Sequence, residues 1–212
     1  KDDIVVYKGI VRDFFNMYDA DETVDLKTGE EYRDVKAVDI DGDGDLDLVA
    51  CGGDELRLFT NDGDGTFVYS VIHDASGDDI FLVHPVDLDK DGLVDIVTLQ
   101  DGKLRWYKRG TSGGFTGYDI DTTLPTNSDV YDMIVVDLDK DGDLDVVTLG
   151  VDLLLFTNSG SQSFTKSELQ GTDYDSFGMD IGDIDGDDDL DILVGTTIDH
   201  MQAMYYMRAN SD

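Results

Sequence analysis

Aspartate recurs at alternate positions in four short segments of this chain. They read DIDGDGDLD from Asp39 to Asp47, DLDKDGLVD from Asp87 to Asp95, DLDKDGDLD from Asp137 to Asp145, and DIDGDDDLD from Asp183 to Asp191. Carboxylates two residues apart in a tight loop can converge on one point, and a hard cation such as calcium takes about six to eight oxygens there. With each segment numbered 1 to 9, positions 1, 3, 5 and 9 are always aspartate. The predicted ligands are therefore Asp39, Asp41, Asp43 and Asp47; Asp87, Asp89, Asp91 and Asp95; Asp137, Asp139, Asp141 and Asp145; and Asp183, Asp185, Asp187 and Asp191. Position 7 varies, as Asp45, Leu93, Asp143 and Asp189, which fits a residue that ligates through its backbone carbonyl. About four calcium ions are expected, one per loop, and they would bring the net charge from −34 to −26.

Position 6 is Gly44, Gly92 and Gly142, then Asp188. A sharp turn with positive φ suits glycine and costs aspartate, so the fourth site is expected to be the weakest or most distorted. Positions 2 and 8 are apolar throughout (Ile40 and Leu46, Leu88 and Val94, Leu138 and Leu144, Ile184 and Leu190) and are expected to point into the core. An EF-hand needs a bidentate Glu at position 12 between two helices. Position 12 here is Ala50, Thr98, Thr148 and Val194, so that reading fails. Magnesium resists full dehydration in an all-protein cage. A metal-free acidic turn is the plainer alternative, but four such crowded loops would repel themselves strongly without a cation.

The loops must be held by a repeated element. Their starts lie 48, 50 and 46 residues apart, and a four-stranded propeller blade takes about 40–50 residues. After each loop comes a short apolar run, such as Val94–Leu99. A second run follows and ends in an aromatic at Phe59, Tyr107 or Phe156. A turn then leads to a third aromatic at Phe67, Phe115 or Phe164, and one more run precedes each loop. Short β-branched runs bounded by turn residues read as strands, and no stretch keeps a helical period. Each unit is strand A, Asp loop, strand B, strand C, strand D.

The predicted blades span residues 31–72, 79–120 and 130–168, with a half blade at 1–17 and an incomplete one at 176–212. That makes seventeen strands, whereas a closed four-bladed ring needs sixteen. The count favours a segment of a larger array over a self-contained ring, since radial sheets need closure or a neighbour to cover their edges. The chain begins at Lys1 without Met, as a processed chain or an excerpt would.

These units resemble FG-GAP/VCBS repeats, the calcium-binding blades of integrin α-chain propellers and of many secreted proteins. The best match runs from Phe177-Gly178 through Gly182-Asp183-Ile184-Asp185-Gly186 to Val194-Gly195, with Thr196-Thr197 in place of the Ala-Pro of Gly-Ala-Pro. The other three units lack Phe-Gly and sit closer to the VCBS form. The resemblance implies an all-β propeller, part of a seven- or eight-bladed ring, with calcium in the A–B loops bracing the blades. It also implies an extracellular location, secreted or at the cell surface.

Composition narrows the partners. With 49 Asp+Glu against 15 Lys+Arg, binding to nucleic acid or to anionic membranes is disfavoured. No apolar run approaches the roughly 20 residues of a membrane span. Three functions remain: a binding or adhesion module for a protein or glycan ligand, a polysaccharide lyase or hydrolase, and an architectural spacer. Further blades of a parent chain, or a second chain, would complete the open edges. The inter-blade loops 18–33, 73–80, 121–130 and 168–176 are rich in Asp, Ser, Thr and Tyr, as polar ligands require. Tyr32, Phe81, Tyr131 and Phe177 recur before the loops and are either a sugar-stacking set or residues that open strand A. The metal claims most repeat-phased Asp, His73, His84 and His200 share no repeat position, and no G-x-S-x-G occurs, so no catalytic residue is assigned. Trp106 aligns with Leu58 and Leu155 and is expected in the core, as is the single thiol, Cys51.

Overall fold

The computed structural model describes residues 5–13, 16–25, 32–63, 66–125, 130–160, 162–171, 176–198 and 201–207. Among them every regular element is a strand. An antiparallel ribbon, β1 (Val5–Asp13) and β2 (Asn16–Asp25), is followed by a meander of β3 (Asp34–Val38), β4 (Asp47–Gly52), β5 (Glu55–Asn61) and β6 (Phe67–Asp74). The next four-stranded sheet holds β7 (Ile80–Val86), β8 (Asp95–Gln100), β9 (Lys103–Arg109) and β10 (Phe115–Asp121). A third holds β11 (Val130–Val136), β12 (Asp145–Gly150), β13 (Asp152–Asn158) and β14 (Phe164–Gly171). A three-stranded sheet closes the series with β15 (Ser176–Gly182), β16 (Asp191–Ile198) and β17 (Met201–Met207). Strand β2 reaches Asp25, so residues 18–25, expected to be loop, are strand. The register of the last strand, open in the sequence, is set by the pairing of Ile192 with Met207.

The chain divides into two compact units, residues 1–83 and 84–212. Burial explains why the apolar residues of strand B, such as Ile96-Val97 and Val146-Val147, run consecutively instead of alternating. Every residue of β8 and of β12 is buried, so both faces of the strand are covered. The outer strand β6 is half-buried at Phe67 and exposed at Val68, Tyr69 and Val71. In the first unit Phe59 and Ala50 form a buried pair, with Tyr32, Leu48 and Phe67 packed on it. In the second unit Val147, Leu149 and Leu153 meet Ile192 and Val194, with Leu138, Met179 and Ile181 at the margin. Burying side chains of this size contributes roughly 1.5–3 kcal/mol each.

Trp106 and Cys51 lie in the core as expected, at 2% and 0% exposure. Burial pushes the Cys51 thiol up to about 12, so it is inert at neutral pH. The expectation for positions 2 and 8 holds only in part. Ile40 and Leu88 are buried, but Leu46 is 58% and Ile184 52% exposed. Leu138 is covered because the next sheet packs over it. Ile184 belongs to the last described sheet and has no such cover among the described residues.

Candidate metal centre

Each Asp loop is wound by its own carboxylates. The position 1 carboxylate accepts the position 6 N–H in all four: Gly44 to Asp39 at 3.0 Å, Gly92 to Asp87 at 2.8 Å, Gly142 to Asp137 at 3.1 Å and Asp188 to Asp183 at 3.1 Å. Position 5 accepts the position 7 N–H in all four, at 2.8–3.0 Å. This winding demands positive φ at position 6, which Gly44, Gly92 and Gly142 show. Asp188 takes the same turn at φ 71°, and its N–H still reaches Asp183. The distortion expected of the fourth loop is therefore absent, because these hydrogen bonds hold aspartate in the left-handed region. Position 4 is also left-handed, at Gly42, Lys90, Lys140 and Gly186, a feature the sequence reading missed.

Three carboxylates converge in each loop, with ligand atoms within 4.8 Å of one another. In the last three loops they come from positions 1, 3 and 9: Asp87, Asp89 and Asp95; Asp137, Asp139 and Asp145; Asp183, Asp185 and Asp191. In the first they are Asp39, Asp41 and Asp43, without Asp47. The four triads could hold metal ions. An all-oxygen anionic set matches a hard divalent cation. One further observation agrees: Asp89 Oδ1 and Asp137 Oδ1 are buried without a hydrogen-bond partner. A buried carboxylate oxygen with nothing to accept from is costly unless a cation meets it.

Position 9 does more than the sequence reading assigned to it. Asp47, Asp95, Asp145 and Asp191 are all fully buried. One oxygen accepts the position 2 N–H, as in Ile40 to Asp47, Leu138 to Asp145 and Ile184 to Asp191 at 2.9–3.0 Å. In three blades the other accepts the N–H that ends strand C, from Asn61, Arg109 or Asn158, at 2.7–2.8 Å. In those three blades the residue thus ties the loop to the C–D hairpin. Burial pushes Asp95 up to about 6 against hydrogen bonds from Arg109 N–H and the Trp106 indole. Burial likewise raises Asp145.

Position 7 also has a side-chain role. Lys90, at position 4 of the second loop, lies 3.8 Å from Asp143 of the third. Lys140, at position 4 of the third, reaches Asp189 of the fourth at 2.9 Å and bonds the Asp188 carbonyl. A second clip joins neighbouring A strands: Val83 N–H donates to Asp34, and Met179 N–H to Asp132, five residues before their loops. The repeat phase of Asp34 and Asp132 was the available signal. Of the aromatics before the loops, Tyr32 packs edge-on to Phe59 with ring centres 6.2 Å apart, and the Arg33 guanidinium lies over Phe81. Tyr131 is 44% exposed. The side chain of Phe177 lies outside the described residues.

Meandering antiparallel sheets, four of them with an Asp loop of converging carboxylates between the first two strands, define a propeller-type repeat protein whose loops could hold metal ions. The chain belongs to the FG-GAP-like repeat family, whose repeat matches residues 39–98 and 87–148. Among solved structures it is similar to a lectin from Agrocybe aegerita described as recognising non-reducing terminal N-acetylglucosamine. The TM-score is 0.58 at 18% identity, over 79% of this chain and 50% of the lectin chain. The chain thus spans about half the length of that lectin. No curated protein matches the sequence.

Proposed function

We propose that this chain is part of an extracellular, non-catalytic, calcium-braced propeller that binds neutral glycans. The observation that carries this reading is the fold shared with a terminal-N-acetylglucosamine lectin over 79% of the chain. The metal is calcium on this reading, because the loops offer many oxygens and no nitrogen or sulfur ligand. The net charge of −34 would repel sialylated and sulfated sugars, which favours uncharged ones. The polar segments between blades, with exposed Tyr131 opening β11, supply hydrogen-bonding and stacking groups of the kind sugars require. The broader reading is a structural or adhesion module for a protein ligand. The hydrogen bonds and ion pairs that clip neighbouring sheets in the second unit support it.

A glycan array probed with the full chain, with and without chelator, tests the proposal. The expected result is binding to glycans ending in N-acetylglucosamine or another neutral sugar, weakened by chelator. Binding to no glycan in calcium would overturn the lectin reading and leave the adhesion module. Turnover of a neutral polysaccharide would overturn the non-catalytic assignment.

A further inference from the structure

We propose that the second Asp loop carries a cation of its own, the Lys108 ammonium, which makes it a weaker metal site than the first and third loops. The inference rests on the reading that the Asp loops bind calcium. Lys108 Nζ bonds Asp89 Oδ2 and also Asp91 Oδ2, the latter at 2.9 Å. These are positions 3 and 5, and Asp89 belongs to the triad with Asp87 and Asp95. The positive charge therefore stands on two of the carboxylates that a metal would use.

The placement is built into the blade. Lys108 follows the buried Tyr107 on β9, its ammonium is 5.7 Å from the Trp106 ring centre, and its side chain is 25% exposed. The matching residues after Phe59 and Phe156 are Thr60 and Thr157, which carry no charge. The second loop is also the one with Leu93 at position 7, so it has one carboxylate fewer than its neighbours. An incoming divalent ion must displace the lysine or sit beside it, and either weakens binding. Asp89 Oδ1 remains buried and unpartnered, so the lysine does not satisfy the loop completely. The site is weakened and not abolished.

Trp106 makes this loop separately observable. It is the only tryptophan, and its indole donates to Asp95 Oδ2 at 2.9 Å. Terbium, as a calcium substitute, would be sensitised through the indole band when it enters the second loop. The experiment titrates terbium into the metal-free full chain, recording indole-excited luminescence, and counts calcium sites by calorimetry. The wild type should show the indole-sensitised signal late, after at least two calcium-competable sites have filled. Lys108→Thr should shift its midpoint to lower concentration by on the order of tenfold or more. Lys108→Arg, which keeps the charge, should leave it late. If Lys108→Thr fails to fold, Lys108→Met serves, keeping the apolar stem over Trp106. An early midpoint in wild type, or one that neither neutral variant moves, overturns the proposal while the calcium reading stands. Absence of any metal binding overturns both.

Discussion

The second and third blades carry nearly the same loop, DLDKDGLVD and DLDKDGDLD, yet anchor it differently. In the third, Asn158 closes the gap between loop and C–D hairpin. Its side-chain amide donates to the Leu144 carbonyl at 3.1 Å, and its side-chain oxygen accepts the Gly160 N–H at 3.1 Å. The Asp143 carboxylate lies against Gly160 so closely that a Cβ there would sit 2.3 Å from Oδ2. The first blade uses the same parts, with Asn61, Asp45 and Gly63. In the second blade Arg109 replaces the asparagine and Leu93 the aspartate, while the Trp106 indole and Lys108 hold Asp95, Asp89 and Asp91. The loop sequence is therefore not the unit of design. Three residues on strand C, Trp106, Lys108 and Arg109, change how a near-identical loop is held.

Chelation should affect the molecule most, and the two blades unequally. At low salt the melting temperature should fall by about 10 °C or more, since each ion bound only by the folded state adds stability. Hydrogen exchange should show the β12–β13 pair losing more protection than β8–β9. Equal loss would remove the distinction. Next in size are the buried latches. Asp145→Ala orphans the Leu138 and Asn158 N–H groups and should cost about 2–4 kcal/mol in urea unfolding. Asp95→Ala orphans the Trp106 indole as well as Arg109 N–H and should cost more.

A smaller contrast lies in the hairpins. Gly160→Ala meets both positive φ and the Asp143 carboxylate, whereas Gly113→Ala meets positive φ alone. The first should lower stability by about 1 kcal/mol more than the second. The pH response separates the metal-free from the metal-loaded chain. In the metal-free fold Asp95 sits near 6, above the ordinary carboxylate value, so the fold favours its neutral form. That contribution is fully present below about pH 4 and lost as pH rises through about 6. The chelated chain should lose a few degrees of melting temperature over that range. The calcium-loaded chain should gain stability instead, because metal binding requires the ionised form. Stability rising with pH in chelator would contradict the burial argument. Lys140→Met should do least, moving the melt by roughly a degree or less, because the exposed pair with Asp189 is screened.

Much of this was legible in the residues. The four loops marked the four sheets from β3 to β17, and the aromatics marked where β6, β10 and β14 begin. Position 6 announced its positive φ through three glycines, and Trp106 and Cys51 were rightly placed in the core. Position 4 stayed hidden because Lys90 and Lys140 carry no compositional sign of a left-handed backbone. Leu46 and Ile184 were misread because apolarity at a repeat position says what could be buried, not whether a neighbour covers it.

By itself, then, the sequence determined the periodic facts: alternating carboxylates, strand phase, blade length and the family. Those depend on local geometry, which repeats whenever the residues repeat. Only the tertiary structure decided that position 9 is a backbone latch, that Lys90 and Lys140 reach the next loop, and that Lys108 enters its own blade's loop. Each of these joins residues roughly seven to fifty positions apart through side-chain direction and sheet packing, which no repeat period encodes.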